Sequence, residues 1–266
     1  MHRMELRGKS VLVTGATGGL GQAIARRLRA EGCELTLTGR RADLLEPLAE
    51  EVGGTALVAD LSTSDDVERV AAACAEIDVL VANAGVPGNG PLEEYTVEQL
   101  DRVLDVNLRS PIVLTRLIGE RMLERGHGHV VFISSLSGKS TTPVTSLYNA
   151  TKFGLRGFAL ALRSDWEPRG VGVSCVNPGP IAEAGMFHDG GATLPAGVKA
   201  RTPEDVAAAV VRAVVHNKAE IDVADLATRA GVTLALLAPQ TAAKLGKRFG
   251  ADKIAYHLAE AHKDKR

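Results

Sequence analysis

Short apolar runs recur along the chain, and the stretches between them carry apolar residues at helical spacing. The runs predict seven strands: Val11–Val13, Glu34–Thr38, Thr55–Ala59, Asp78–Ala82, His129–Ile133, Val171–Val176 and Glu220–Val223. Several are nearly continuous in Val, Leu and Ile, as expected of strands covered on both faces. Between them the pattern predicts helices over Gln22–Glu31, from Ala42, over Val67–Ala75 with Ser62 or Ser64 as cap, and over Val97–Asn107 and Pro111–Arg125. Further helices are predicted over Ser146–Trp166 and from Thr202 to about His216, the latter with Pro203 at its first position. Strands alternating with helices at this spacing argue an α/β fold, a doubly wound Rossmann-type parallel sheet of seven strands with helices on both faces. The expected division is one sheet-and-helix unit, residues 1–223, with an extension, residues 224–266, packed on it.

The first strand runs into Thr14-Gly-Ala-Thr-Gly-Gly-Leu-Gly21 and then into a helix. In that setting glycines let backbone approach a pyrophosphate, and the helix N-terminus offers it free N–H groups. The spacing of Gly15, Gly19 and Gly21 has one more residue between the first two glycines than G-x-G-x-x-G. After the second strand, where an NAD site usually has a carboxylate for the ribose hydroxyls, stand Gly39, Arg40 and Arg41. Arginine there can pair with a 2′-phosphate, which points to NADP(H) over NAD(H); the alternative is an exposed basic cluster.

A second constellation lies in Ser135–Lys152. Tyr148 and Lys152 are four apart on a predicted helix and so share a face. An ammonium about 6 Å from the phenol oxygen favours phenolate by about 3 kcal/mol at a dielectric near 20, moving the tyrosine toward the range of a working acid/base. Taken alone, the pair reads as a surface helical pair, and the rest of the chain decides against that reading. Ser135, after the fifth strand, can offer a hydroxyl to the same substrate oxygen.

With these motifs in order, the chain resembles the short-chain dehydrogenase/reductase family over about Lys9–Val223. The resemblance implies a cofactor loop with Gly15, Thr17, Gly19, Leu20 and Gly21, and an adenine-side acid at Asp60 followed by Leu61. It further implies the fourth-strand motif Asn83-Ala84-Gly85, and Asn177-Pro178-Gly179 after the sixth strand. Asn107, Ser135, Tyr148 and Lys152 match the family's catalytic set. Tyr148 would protonate the forming alkoxide, Ser135 would polarise the carbonyl, and Lys152 would lower the tyrosine pKa and bind ribose. Asn107 would hold a relay water. Where relatives often carry a threonine for the carboxamide, this chain has Glu183, so that contact is expected from the backbone of Ile181.

Composition changes this picture little. Hydrophobic residues make up 45% and charged residues 24%, with a net charge of −1, ordinary for a globular protein and without a nucleic-acid footprint. Three scattered cysteines suggest neither disulfides nor zinc, and no run is long enough to span a membrane. A cytoplasmic address is expected. His127 and His129 are read as structural, with no metal site.

The leading function is an oxidoreductase acting between NADP(H) and a carbonyl/alcohol pair, with a hydrophobic ketone, 3-oxoacyl or steroid-like substrate favoured over a small sugar or polyol. The rival is a non-catalytic protein that senses a dinucleotide. A homodimer or tetramer is expected through faces bearing Ile112, Leu117, Ile118, Leu155, Phe158 and Leu162. Three fates are open to the apolar extension: closing the substrate side beside Met186 and Phe187 of the loop Pro180–Ala200, completing a subunit interface, or lying on a membrane. The first is favoured.

Overall fold

Alternation along each strand sorts its side chains to opposite faces of a sheet. Val11 and Val13, Val79 and Val81, Val131 and Ile133 point one way; Leu12, Leu80, Val130 and Phe132 point the other. The computed structural model, which describes residues 4–183, 191, 199–248 and 251–263, places these runs in one parallel sheet. Its strands are β1 (Ser10–Thr14), β2 (Glu34–Gly39), β3 (Thr55–Val58), β4 (Val79–Ala82), β5 (Gly128–Ile133), β6 (Val171–Pro178) and β7 (Glu220–Val223). They lie in the order β3-β2-β1-β4-β5-β6-β7. The order reverses between β1 and β4, and a crevice opens there at the carboxyl ends of the strands.

On one face pack α1 (Gly19–Ala30), α2 (Ala42–Val52) and, beyond β6, a helix over Pro203–Val215, which is α7 in chain order. On the other face lie α3 (Ser64–Ala73), α5 (Ser110–Arg125) and α6 (Ser146–Trp166). Both cores are buried and largely aliphatic: Ile24, Leu28, Leu45, Val206 and Val210 on the first side, Leu114, Ile118, Met122 and Leu155 on the second. The Thr202 side chain caps α7, accepting from Asp205 N at 3.2 Å while Asp205 reaches back to Thr202 N.

Local chemistry and packing change three of these expectations. The cap of α3 is Thr63, not Ser62 or Ser64; its hydroxyl accepts from Asp66 N at 3.4 Å, and Ser62 is spent on Asp60. The two helices expected on either side of Leu108 are one helical path. α4 (Val97–Leu104) continues through a single π turn, Asp105–Arg109, into α5. Pro111 has no N–H for the carbonyl four residues back, and the ladder widens to a bond from Ser110 N to Asp105 O. The apolar faces of α5 and α6 are largely absorbed by the core: Ile118 and Leu155 are buried, and Phe158 and Leu162 pack on them, leaving Leu117 and Phe153 outside. The expected docking face is therefore smaller than the pattern suggests.

After β7 come α8 (Leu226–Leu237), α9 (Pro239–Arg248) and α10 (Ala251–Ala261). Val232 of α8 packs with Leu136 and Ala224, tying this extension to the loop after β5. Met186 and Phe187, and most of the loop that holds them, lie outside the described residues. Among the described residues no helix is long and apolar enough to cross a membrane.

Close packing sets opposite fates for two helical glycines. A Cβ on Gly119 of α5 would overlap the Trp166 indole, whereas one on Gly157 of α6 meets nothing within 4 Å. Gly119→Ala is expected to cost about 1–3 kcal/mol, and Gly157→Ala to gain about 0.5–1 kcal/mol. Urea titration followed by fluorescence of the single tryptophan checks both; equal shifts of one sign would refute the packing assignment.

Candidate active site

Four hydrogen bonds between side chains and backbone build the crevice between β1 and β4. The Thr14 hydroxyl accepts from Asn83 N and Ala84 N, both at 3.0 Å, and the Asn83 amide donates to the carbonyls of Thr14 and Gly15. The chain after β1 is thereby sewn to the chain after β4. Gly15 turns with φ +64°, and a Cβ there would lie 2.7 Å from the Ala84 Cα. Only glycine meets both demands. Gly21 is equally closed, since its Cβ would lie 2.7 Å from the Ala16 Cα. No side chain caps the start of α1 at Gly18. Its first N–H groups face a glycine-floored cradle, the geometry that receives a pyrophosphate.

At one end of this cradle the two arginines take different posts. The Arg40 guanidinium stands 3.8 Å from the Asp60 carboxylate, and Arg41 donates to the Thr17 carbonyl at 3.0 Å. Burial works against the charge on Asp60, but hydrogen bonds from Ser62 and the charge of Arg40 hold its carboxyl below the usual range.

At the other end lie Ser135, Tyr148 and Lys152. Ser135 sits in an extended conformation at the head of a 3-10 turn, Leu136–Gly138, its hydroxyl accepting from Ser137 N at 3.0 Å. That turn rests directly on α6: Ser134 donates to the Lys152 carbonyl at 3.0 Å, and a Cβ on Gly138 would lie 2.8 Å from the same oxygen. Lys152 is 3% exposed, its ammonium 5.6 Å from the Tyr148 ring centre and donating to the Ile133 carbonyl at 3.1 Å. Burial pushes the lysine down to about 8. Burial also pushes the Tyr148 phenol up to about 12, against the lowering pull of a hydrogen bond with Ser135. The tyrosine shift is opposite to the one expected from the lysine alone, because burial disfavours the phenolate more than the Ser135 hydrogen bond favours it.

These residues share one cavity of about 810 Å³, the size of a cofactor-plus-substrate site. Every residue assigned to cofactor or catalysis from the sequence lines it except Asn107. Asn107 is fully buried in the π turn behind it, its amide oxygen accepting from Val86 N at 2.7 Å and its amide nitrogen donating to Val86 O at 2.9 Å. Both polar atoms of that side chain are taken up holding a cavity-wall residue in place. Ile181 pairs in a short parallel bridge with Arg201 that uses the Pro180 carbonyl and the Ala182 N–H, so Ile181 is fixed at the cavity wall.

Sequence reasoning passed over several lining residues. Arg41 was seen only as part of a basic pair. Ser137, Ser140, Thr142 and Thr145 form a hydroxyl-rich side, for which the density of Ser and Thr around Ser135 was the available signal. Ala255 and His262 arrive from α10 and beyond, too far along the chain for any motif to announce, beside Ile254 and Leu258 of the apolar extension. His129 is structural: it is buried, 2.8 Å from the Ser174 hydroxyl, and burial aided by the Arg163 charge pushes it down to about 3. Among the described residues no group of three or more potential ligands gathers to hold a metal.

The model of the short chain dehydrogenase family matches residues 9–194. The ketoacyl reductase HetN of Nostoc sp. is 31% identical over 259 residues, covering 92% of this chain and 90% of its own. Among solved structures, a short-chain dehydrogenase from Sphingobium yanoikuyae in complex with NADPH is 26% identical with a TM-score of 0.77, covering 88% of this chain and 94% of its own. A variant of actinorhodin polyketide ketoreductase with NADPH is 28% identical with a TM-score of 0.73, covering 81% and 95%.

The buried ammonium predicts a pH-dependent stability cost. Unfolded, Lys152 titrates near 10.4; folded, it titrates at about 8. Below pH 8 both states are charged and the folded state bears the whole penalty, which fades as pH rises from 8 to 10.4. Lys152→Met is therefore expected to raise stability by about 1–3 kcal/mol at pH 7 and by progressively less toward pH 10. Urea midpoints across that range check it, and a difference that does not shrink with pH would refute it.

Proposed function

The chain belongs to the short-chain dehydrogenase/reductase family, oxidoreductases that act on CH–OH groups with NAD(P), and we propose that it is an NADP(H)-preferring reductase of hydrophobic carbonyl compounds. The observation that carries this reading is the single cavity running from the glycine cradle to Ser135, Tyr148 and Lys152. The residues present fit a dinucleotide: a floor of Gly15 and Gly21 that a Cβ would fill, the uncapped start of α1, and two arginines where an NAD site would carry an acid. When bound, that cofactor supplies the hydride.

The chain's own residues supply position and the proton. Ser135 orients the carbonyl oxygen, and Tyr148 is the proton donor to it. A phenol held near 12 remains fully protonated at neutral pH and so stands ready as the acid in the reducing direction. Lys152, buried and pointing between the strand carbonyl and the phenol, stabilises phenolate as the proton leaves. Asn107 acts as a positioning residue through Val86.

The substrate class follows from the lining of the cavity. Leu136, Val232, Ile254 and Leu258, three of them from the extension, make up the apolar part of its wall, and Ser140, Thr142 and Thr145 bring hydroxyls to it. A ketone on an apolar chain or ring fits such a wall better than a polyol. The extension closes the substrate side in this reading. HetN is named a ketoacyl reductase and the actinorhodin neighbour a polyketide ketoreductase; both names support the same class.

Two measurements test the proposal. NADPH oxidation is expected with 3-oxoacyl or bulky ketone substrates, and Tyr148→Phe should lower kcat by at least a thousandfold with the NADPH Kd within about threefold; residual activity within tenfold would remove Tyr148 from the chemistry. NADPH should bind at least tenfold more tightly than NADH, about 1.4 kcal/mol. Arg40→Asp should erase that margin, and equal Kd values in the unmodified protein would overturn the cofactor preference.

A further inference from the structure

A set of charged residues that touches none of the reacting groups lies just beneath them. Glu220 and Asp222, two apart on β7, face the same side of the sheet edge, and Asp222 is in register with Asn177 of β6. Lys139, which follows the Ser135 turn and is 8% exposed, places its ammonium 2.7 and 2.9 Å from the two Asp222 oxygens and 3.0 Å from Glu220. Arg156 donates to both oxygens of Glu220, at 2.5 and 3.2 Å. The Asn177 amide donates to Glu220 at 2.8 Å and to Asp222 at 2.9 Å.

Each donor belongs to a different part of the site. Lys139 ends the turn that presents Ser135. Arg156 lies on α6 at the i+4 position from Lys152 and i+8 from Tyr148, so all three share one helix face. Asn177 immediately precedes Pro178 and Gly179, which line the cavity. Two carboxylates thus hold three separately arriving segments at one point.

A stability role explains this arrangement poorly. Exposed ion pairs contribute little, and buried ones commonly do no better than apolar side chains of the same volume, because desolvating the charges offsets their attraction. Burial works against the Glu220 charge, while hydrogen bonds from Arg156, Lys139 and Asn177 hold its carboxyl below the usual range. What such a cluster does provide is direction: a fixed fork-to-carboxylate geometry that an apolar contact lacks.

We propose that Glu220 and Asp222 form a carboxylate clamp that sets the position of the Ser135 turn against the Tyr148–Lys152 helix face and the Pro178–Gly179 turn, with Lys139 and Arg156 as positioning residues. The inference rests on the reductase reading for its kinetic arm but not for its structural one. Lys139→Met and Asp222→Asn, made singly and together in the full chain, are compared with Lys139→Arg. Each single variant should lower kcat at least tenfold with the NADPH Kd within threefold. The double variant should be no more than threefold worse than the worse single one, since both break one pair, and Lys139→Arg should recover to within threefold of the unmodified protein. Hydrogen exchange of peptides covering residues 134–140 should speed up at least tenfold while those of α1 stay unchanged.

Unchanged exchange at 134–140 overturns the clamp whatever the kinetics show, as does exchange that rises equally in α1, the mark of general loosening. Multiplicative losses in the double variant also overturn it. Should Lys139→Met fail to fold, Asp222→Asn and Glu220→Gln, which keep the volume and one acceptor oxygen but remove the charge, carry the same comparison. If the unmodified protein oxidises NADPH with no carbonyl compound, the reductase reading fails, and the exchange measurement still decides the clamp.

Discussion

The ammonium of Lys152 is the constraint around which the site is built. It is held out of water, one helical turn from Tyr148, with the Ile133 carbonyl as its hydrogen-bond partner. A lone cation in such surroundings is unfavourable, and a chain selected for stability alone would not keep it there. The backbone contacts around it make the position unavoidable. Ser134 and Gly138 press on the Lys152 carbonyl, and Asn149 donates to the carbonyls of Ser137 and Ser140, both at 2.6 Å. Helix and turn are therefore locked before any ligand contact is made. The strain of a buried charge is borne locally, and the result is a phenol and an ammonium whose proton affinities are driven apart, the phenol up to about 12 and the ammonium down to about 8.

Much of this was legible in the amino-acid order, and the reasons are physical. The helix carrying Tyr148 and Lys152 has the ends its composition indicates, Ser146 and Trp166, because Thr142–Thr145 cannot propagate it and Pro168 cannot continue it. Strand positions followed from apolar runs that both faces of the sheet must bury. Gly15 and Gly21 of the cradle were readable because each is forced by a close backbone approach rather than by fashion of composition.

The rest depends on contacts that no local pattern encodes. That Asn107 faces inward follows from a π turn, which depends on a proline four residues later and on the Val86 backbone 21 residues earlier. The rise of the Tyr148 pKa reflects how deeply the phenol is desolvated, a tertiary quantity invisible in the spacing of two residues. The clamp is the clearest case. Lys139, Glu220 and Asp222 are unremarkable charged residues in sequence, 81 or more positions apart across the ladder they complete. Only the pairing of β6 with β7 brings them together.

The strand order carries a consequence for synthesis. β1, the first strand made, lies at the middle of the sheet and must wait for β4 before both its edges are covered, since parallel neighbours need a crossover between them. β7 is the last strand to be added, and α8 to α10 follow it. On a ribosome, the glycine cradle can close while the remainder of the chain is still being made, whereas the carboxylates of β7 and the apolar wall from the extension are the final pieces delivered. A nascent chain stalled before β7 would hold a nearly finished nucleotide cradle beside an opening without the lining residues of α8 to α10, with Lys139 and Arg156 lacking their acidic partners. The interval between those two stages is when this protein has most need of a chaperone's cover.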